Sequence, residues 1–231
     1  MIIAGLQKMT LLDYPGRVAC TVFLPGCDFR CPFCHNYELI TGPVEPAMTE
    51  EAFFDFLGRR RHLLDGIAVT GGEPCLHREL PDFLRKIRDL GFSVKLDTNG
   101  NHPEILQQIL EEGLADYIAM DVKNSPARYA ETAGLETFDP AGIEESIRLL
   151  MQKAPEYEFR TTVVDELHEA RDFHAIGAWI RGAKRYYLQA FTDRDTVPFE
   201  GFHAPPAERM EEYLDIVRSY VPSAELRGMD L

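Results

Sequence analysis

Thr21-Val22-Phe23-Leu24-Pro25-Gly26-Cys27-Asp28-Phe29-Arg30-Cys31-Pro32-Phe33-Cys34-His35-Asn36 begins with the β-branched and apolar character of a strand. It passes through Pro25-Gly26 into a loop with three cysteines at Cys-x3-Cys-x2-Cys spacing. A structural zinc site wants four ligands closing a tetrahedron, usually as two separated pairs. A cubane iron–sulfur cluster has four irons, commonly held by four thiolates. Three thiolates on one short loop leave one iron open, so the loop reads as a reactive site rather than a staple. His35 is the obvious fourth ligand for zinc, but it is adjacent to Cys34, and neighbouring side chains reach one metal poorly. Cys75 is the other candidate for a fourth ligand, without supporting spacing. Cys20 lies in the apolar run Val18–Phe23 and reads as a buried strand residue.

Outward from this stretch the pattern alternates strand and helix, which argues for an α/β fold with a parallel sheet. Strands are expected over 18–24, 66–70, 92–96, 116–122, 157–164 and 186–190, with a short edge strand at 224–227. Helices are expected over 49–62, 79–90, from Pro103 to Gly113, from Asp139-Pro140 to about 152, over 170–182 and over 205–221. Leu80, Phe83, Leu84, Ile87 and Leu90 recur at helical spacing. Six βα units are too few for a closed eight-fold barrel. The expected architecture is a partial (β/α)6 barrel with an open side. It forms a single domain over 1–231, with the cysteine loop at 26–36 and a C-terminal helix and edge strand within 205–231.

Every unusual polar motif falls at the carboxyl end of an expected strand. The cysteine loop follows the first, Gly71-Gly72-Glu73-Pro74 the second, Asp97-Thr98-Asn99-Gly100 the third and Asp121-Val122-Lys123 the fourth. In barrels and open parallel sheets that edge is where ligands bind. The glycine pair allows close backbone approach, and a carboxylate beside it can accept from a cationic amino group. Each of the last three motifs alone would be an ordinary turn; together on one rim they are hard to explain by packing.

This set of motifs resembles the radical S-adenosylmethionine (radical SAM) superfamily. Gly26-Cys27 through Cys34-His35-Asn36 is similar to the glycyl-radical-enzyme activases. Leu12-Asp13-Tyr14-Pro15-Gly16-Arg17, followed by Thr21–Gly26, is similar to the activating proteins of anaerobic ribonucleoside-triphosphate reductase. The resemblance implies that Cys27, Cys31 and Cys34 hold a 4Fe–4S cluster whose open iron chelates S-adenosyl-L-methionine. Reductive cleavage then yields methionine and a 5′-deoxyadenosyl radical. It implies Phe33 beside the adenine, and Gly71, Gly72 and Glu73 at the methionyl ammonium. Asp97, Asn99, Asp121 and Lys123 become further cofactor contacts. Asp97, Thr98, Ala119 and Asp121 match positions that can hold a monovalent cation. Where related activases carry a rim histidine, this chain has Tyr187-Leu188-Gln189-Ala190-Phe191, and Gln189 is the substitute contact, which favours the ribonucleotide-reductase branch. The eight-cysteine ferredoxin-like insertion of some activases is missing, so electrons are expected from a flavodoxin or ferredoxin.

Composition sets limits on the rest. The 231 residues carry 38 acidic against 24 basic side chains, a net charge of −14. A nonspecific nucleic-acid binder needs the opposite sign. Arg59-Arg60-Arg61 reads instead as the basic end of a helix that starts at Thr49-Glu50-Glu51. No stretch approaches the roughly 20 apolar residues of a membrane helix, and no signal peptide is evident; a cytoplasmic location is expected. His62, His77, His102, His168, His174 and His203 read as surface or capping residues, and Trp179 as core. The expected activity is glycyl-radical generation on the glycine-bearing loop of anaerobic ribonucleoside-triphosphate reductase. The alternatives are another glycyl-radical enzyme or a small molecule, as in deazapurine synthesis, and a zinc-binding interaction module without catalysis.

Overall fold

The structure is a computed structural model that describes residues 1–228; the last three residues of the expected C-terminal segment lie outside the described residues. One eight-stranded sheet runs in chain order: β1 (Gly5–Thr10), β2 (Ala19–Leu24), β3 (Gly66–Gly71), β4 (Ser93–Thr98), β5 (Tyr117–Asp121), β6 (Tyr157–Val163), β7 (Tyr186–Ala190) and β8 (Glu225–Arg227). β1 is antiparallel to β2; every later pair is parallel. Strictly sequential order with parallel neighbours is the winding of a βα barrel. β1 and β8 do not pair, so the barrel stays open along one side.

The helices α1 (Glu50–Arg59), α2 (Leu80–Asp89), α3 (Pro103–Glu111), α4 (Tyr129–Ala133), α5 (Ala141–Lys153), α6 (Ala170–Trp179) and α7 (Ala207–Arg218) follow the strands. Alternation along each strand separates two environments. Val22, Leu24, Ile67, Val69, Val94, Leu96, Ile118, Met120, Phe159 and Val163 share one continuous core with Phe53, Leu84, Ile109, Ile147 and Phe173 of the helices. The alternate positions, Thr21, Lys95, Asp97, Glu158 and Arg160, carry polar groups toward the lumen. The expected starts hold locally: Thr49 accepts from the Ala52 amide at 3.1 Å, and Asp139 from the Ala141 amide at 3.1 Å. Arg59 closes α1, and Arg60 lies 5.3 Å from the Phe56 ring centroid, as expected of a capping run.

Two elements go beyond the sequence pattern. β1, Gly-Leu-Gln-Lys-Met-Thr, has no β-branched run, and Gln7, Lys8 and Met9 are exposed on the sheet edge. α4 is too short to show a periodicity. Three expected helices run past their true ends: α1 stops at Arg59, α6 at Trp179 and α7 at Arg218. At the amino end of the barrel, the chain between β1 and β2 folds back. Tyr14 is buried there, 6.2 Å from the Tyr117 ring, with its hydroxyl 3.4 Å from the Val94 carbonyl oxygen.

A tight backbone approach lies where β3 leaves the sheet. Gly71 has φ +127°, and a Cβ there would stand 2.2 Å from the Leu24 carbonyl oxygen. A side chain would force strained dihedrals and move backbone, not a pliable side chain. Gly71→Ala is expected to cost about 1–3 kcal/mol, measured as a lowered urea midpoint; an unchanged midpoint would contradict this packing.

Candidate functional site

The cysteine loop is anchored before its ligands are considered. Its foot, Gly26, donates to the Leu39 carbonyl at 2.8 Å and accepts from the Glu73 amide at 2.8 Å. Asn36 donates its side-chain amide to the Gly71 carbonyl at 2.8 Å, and His77 lies 2.8 Å from the Pro25 carbonyl oxygen. A Cβ on Gly72 would stand 1.9 Å from the Gly26 carbonyl oxygen, so only glycine lets the two loops touch. The far side is held by Arg30, whose amide donates to the Ala133 carbonyl at 2.8 Å, and by Phe29, packed edge-on against Tyr129 and Phe138.

The loop forms one wall of a cavity of about 180 Å³ that opens to solvent. Cys27, Cys31, Phe33, Cys34, Gly71, Gly72, Asp97, Thr98, Asn99, Asp121 and Lys123 all line it, with Arg160 and Thr162 from β6. The motifs at the ends of four successive strands therefore meet. Phe33 packs edge-on against Phe191, and His35 stacks on Phe191 at 5.7 Å with its Nε2 2.7 Å from the Thr192 carbonyl oxygen. His35 is thus turned to the chain after β7.

The donor set suits soft metal chemistry. Burial pushes the thiols up, Cys27 to about 12 and Cys31 to about 11, with Cys34 raised as well. They are protonated when free and must release protons on binding iron. The Cys27 sulfur accepts from the Phe29 amide at 3.4 Å and faces the Asn99 amide at 3.8 Å. Among the described residues no three His, Cys, Asp or Glu side chains converge as a single metal ion requires. Cys75 is buried away from the cavity with its thiol pushed well up by burial, and offers no fourth ligand.

A model of the radical SAM superfamily matches residues 21–176, two thirds of the chain. The chain belongs to the radical SAM superfamily. It is accordingly an enzyme of the radical SAM oxidoreductase class, and membership implies a 4Fe–4S cluster and S-adenosylmethionine as its cofactors. A protein of Methanocaldococcus jannaschii named for glycyl-radical enzyme activation is 28% identical over 99% of this chain and 97% of its own. A 7-carboxy-7-deazaguanine synthase of Thermococcus kodakarensis is 26% identical over 88% of this chain and 83% of its own. Streptococcus suis SuiB, solved with its precursor peptide SuiA, shares the fold with a TM-score of 0.68 at 13% identity. The similarity covers 90% of this chain and 48% of SuiB, so this chain spans about half the length of that one.

Within this radical SAM site the carboxylates do not all do what the motifs suggest. Glu73 is fully buried behind the glycine turn and does not line the cavity. Its oxygens accept from the Cys75 amide at 2.8 Å, the Thr98 hydroxyl at 2.8 Å and the Asn99 amide at 2.5 Å. Burial pushes its carboxyl up to about 7 against those hydrogen bonds. Its side chain braces two strand-end loops. Gln189 also stays outside the cavity lining; Thr162, on the neighbouring strand, occupies that wall.

The two aspartates expected beside a cation both face cationic side chains. Asp97 pairs with Lys95 at 2.5 Å and Arg160 at 3.3 Å; Asp121 pairs with Arg160 at 2.5 Å and Lys123 at 2.9 Å. All four carboxylate oxygens face cationic side chains. Burial alone would raise both acids, but Arg160 overcomes it, with Lys95 at Asp97 and Lys123 at Asp121, and holds them below the usual carboxylate range. Thr98 is turned to Glu73, and Ala119 pairs beside Asp97 without lining the cavity. Arg160 is the residue sequence reading missed. Its signal was the alternation Glu158-x-Arg160-x-Thr162 in an otherwise apolar strand. His168 is also corrected: it is buried, not a surface residue, with Nε2 2.9 Å from the Lys123 carbonyl oxygen, below the rim.

Asp28, beside the first cysteine, ties the loop to the end of β4. Asn99 donates to it at 2.9 Å, Asn101 at 2.5 Å, and His102 Nε2 lies 3.2 Å away. Burial would raise this acid, yet these partners lower it to about 2. The Asp28 carboxylate beside Nε2 raises His102 above its ordinary value. The contribution of a raised histidine is full below its unfolded pKa and is lost as pH rises through the folded one. Asp28→Asn should return His102 toward the ordinary histidine range, read by NMR titration; an unmoved titration would break the assigned pair. Arg160→Leu takes one of two cationic partners from each of the half-buried Asp97 and Asp121 carboxylates and should cost about 1.5–3 kcal/mol, read by urea unfolding.

Proposed function

We propose that this radical SAM enzyme generates a glycyl radical on anaerobic ribonucleoside-triphosphate reductase. The observation that carries the reading is the placement of the cysteine cavity beside a barrel side that never closes. A backbone glycine of a folded protein can be presented only where a loop can enter, and the unpaired β1 and β8 leave that route. The end-to-end similarity to the M. jannaschii protein supports the same class of activity.

Cys27, Cys31 and Cys34 would hold the cluster, and Gly71-Gly72 would let the nucleotide approach the backbone. Bound there, cluster and S-adenosylmethionine supply a one-electron cleavage that ends in a carbon-centred radical able to take a hydrogen atom from a glycine Cα. This chain's own residues position and exclude. Lys123 sits on the wall with its charge shared by Asp121. Phe33 and Phe191 close the apolar side. A Cα–H needs no acid or base, only placement beside the reacting carbon, and the cavity carries no carboxyl free of a cationic partner beside the cysteines. In this reading the Arg160 guanidinium takes the place of a monovalent cation. Electrons come from a flavodoxin or ferredoxin, and the setting is the cytoplasm.

A second reading keeps the chemistry and changes the substrate to a small molecule, as the similarity to the deazaguanine synthase over most of both chains favours. Anaerobically reconstituted protein with reductant should release 5′-deoxyadenosine and, with the reductase present, give a glycyl-radical doublet by electron paramagnetic resonance. Cys31→Ala should abolish both signals. Cofactor cleavage without a protein-borne radical on the reductase would remove that target.

A further inference from the structure

A separate cavity of about 450 Å³, open to solvent, lies at the amino end of the barrel. It shares no lining residue with the cysteine cavity. Its walls come from the starts of β5, β6 and β7, from β8, and from the connection between β1 and β2. That connection holds the motif Leu12–Arg17, none of which lines the cysteine cavity. Pro15 and Gly16 stand at the centre of a turn: Gly16 has φ +71°, and the Arg17 amide donates to the Tyr14 carbonyl at 3.2 Å. The turn brings the Arg17 guanidinium back to 5.8 Å from the Tyr14 ring centroid. The same pairing recurs twice on the sheet. Arg185 lies 5.9 Å from the Tyr117 ring centroid, and Arg227 lies 3.6 Å from that of Tyr187.

A guanidinium over a ring face keeps its in-plane N–H donors for other partners. Arg227 spends two of them on Glu158, at 2.8 and 3.1 Å, and Arg185 stands 2.8 Å from Glu156 Oε2. Arg17 is exposed and has no ion-pair partner among the described residues. Of the acids, Asp116 is taken up by Arg88 at 2.7 Å and by the Val94 amide at 2.8 Å. With these partners the cavity gathers Arg17, Arg88, Lys184, Arg185 and Arg227 against Asp116, Glu156 and Glu158, a positive excess within a chain of net charge −14. Glu156 Oε2 is buried and, despite the nearby guanidinium, accepts no aligned hydrogen bond.

We propose that this cavity binds a phosphate monoester of a small hydroxylated molecule, with Arg17 and Arg185 on the phosphate and Glu156 on a hydroxyl of the ligand's body. Arg17 reaches the cavity from the turn, and Arg185 and Arg227 reach it from the sheet. A tetrahedral phosphate offers acceptors in several directions, whereas a planar carboxylate matches one fork. The positive excess suits a group that is close to a dianion at neutral pH. The cavity is of the size that takes a small ligand, and the orphaned Glu156 oxygen calls for a donor beyond the phosphate. The site is independent of which molecule receives the radical.

The test titrates reconstituted holoenzyme with adenosine 5′-monophosphate, ribose 5-phosphate and inorganic phosphate by calorimetry. The two esters are expected to bind, and more tightly than inorganic phosphate. Arg17→Ala should weaken them at least tenfold, the worth of one charge-assisted hydrogen bond, and Arg17→Lys should recover part of the loss. Arg17 is exposed, so the urea midpoint of either variant should match that of the parent. Glu156→Ala should weaken the esters and leave inorganic phosphate unchanged. Excess S-adenosylmethionine should not displace the esters, because the two cavities share no lining residue. Inorganic phosphate bound as tightly as the esters removes the hydroxylated body from the proposal. No binding by any probe, ester binding unchanged in Arg17→Ala, or displacement by S-adenosylmethionine overturns the site. The radical chemistry at the cysteines stands or falls separately, on the release of 5′-deoxyadenosine.

Discussion

Arg160 reaches from β6 across the lumen to Asp121 on β5 and Asp97 on β4, and the rim depends on that bridge. Three strand ends that would otherwise be related only by sheet hydrogen bonds are tied by charge. Lys95 and Lys123 extend the set at either end. Removing such charges from water is expensive, and an apolar replacement would pack as well or better. Their retention makes sense at a rim where side chains must stand at fixed positions around a ligand. The bridge also explains why the lumen is polar while the helix-facing side of the same strands is apolar. On the cavity wall Asp97 and Asp121 are balanced by Lys123 and Arg160, with Lys95 buried behind them.

Two other acids act in the same manner on the loops. Glu73 holds the turn after β3 to the turn after β4 from behind, and Asp28 holds the cysteine loop to the latter from in front. Asn99 belongs to both, with its amide N–H on Glu73 and its side chain on Asp28 and toward the Cys27 sulfur. Asp97-Thr98-Asn99-Gly100 is therefore a junction as much as a lining. Its neighbours divide by the pleat: Asp97 into the lumen, Thr98 toward Glu73.

The winding of the fold and the location of the site were legible because both rest on local signals. Apolar β-branched runs ended in glycine or aspartate, and the cysteines lay within one loop. What each side chain does was less legible. Glu73 reads as a ligand from its motif, yet its role depends on donors some 25 residues later in the chain, which no local pattern reveals. Arg160 binds acids that precede it by 39 and 63 residues, and only the period-two polarity of β6 hinted that it faces inward. β1 escaped because an exposed edge strand needs no apolar face. His168 escaped because a lone histidine carries no sign of burial until α6 and the chain after β5 close over it.

Tyr14 packs against Tyr117 at the barrel's amino end, so the loops that carry the cysteines and the glycine pair gather at the opposite pole, beside the flank the sheet leaves unzipped.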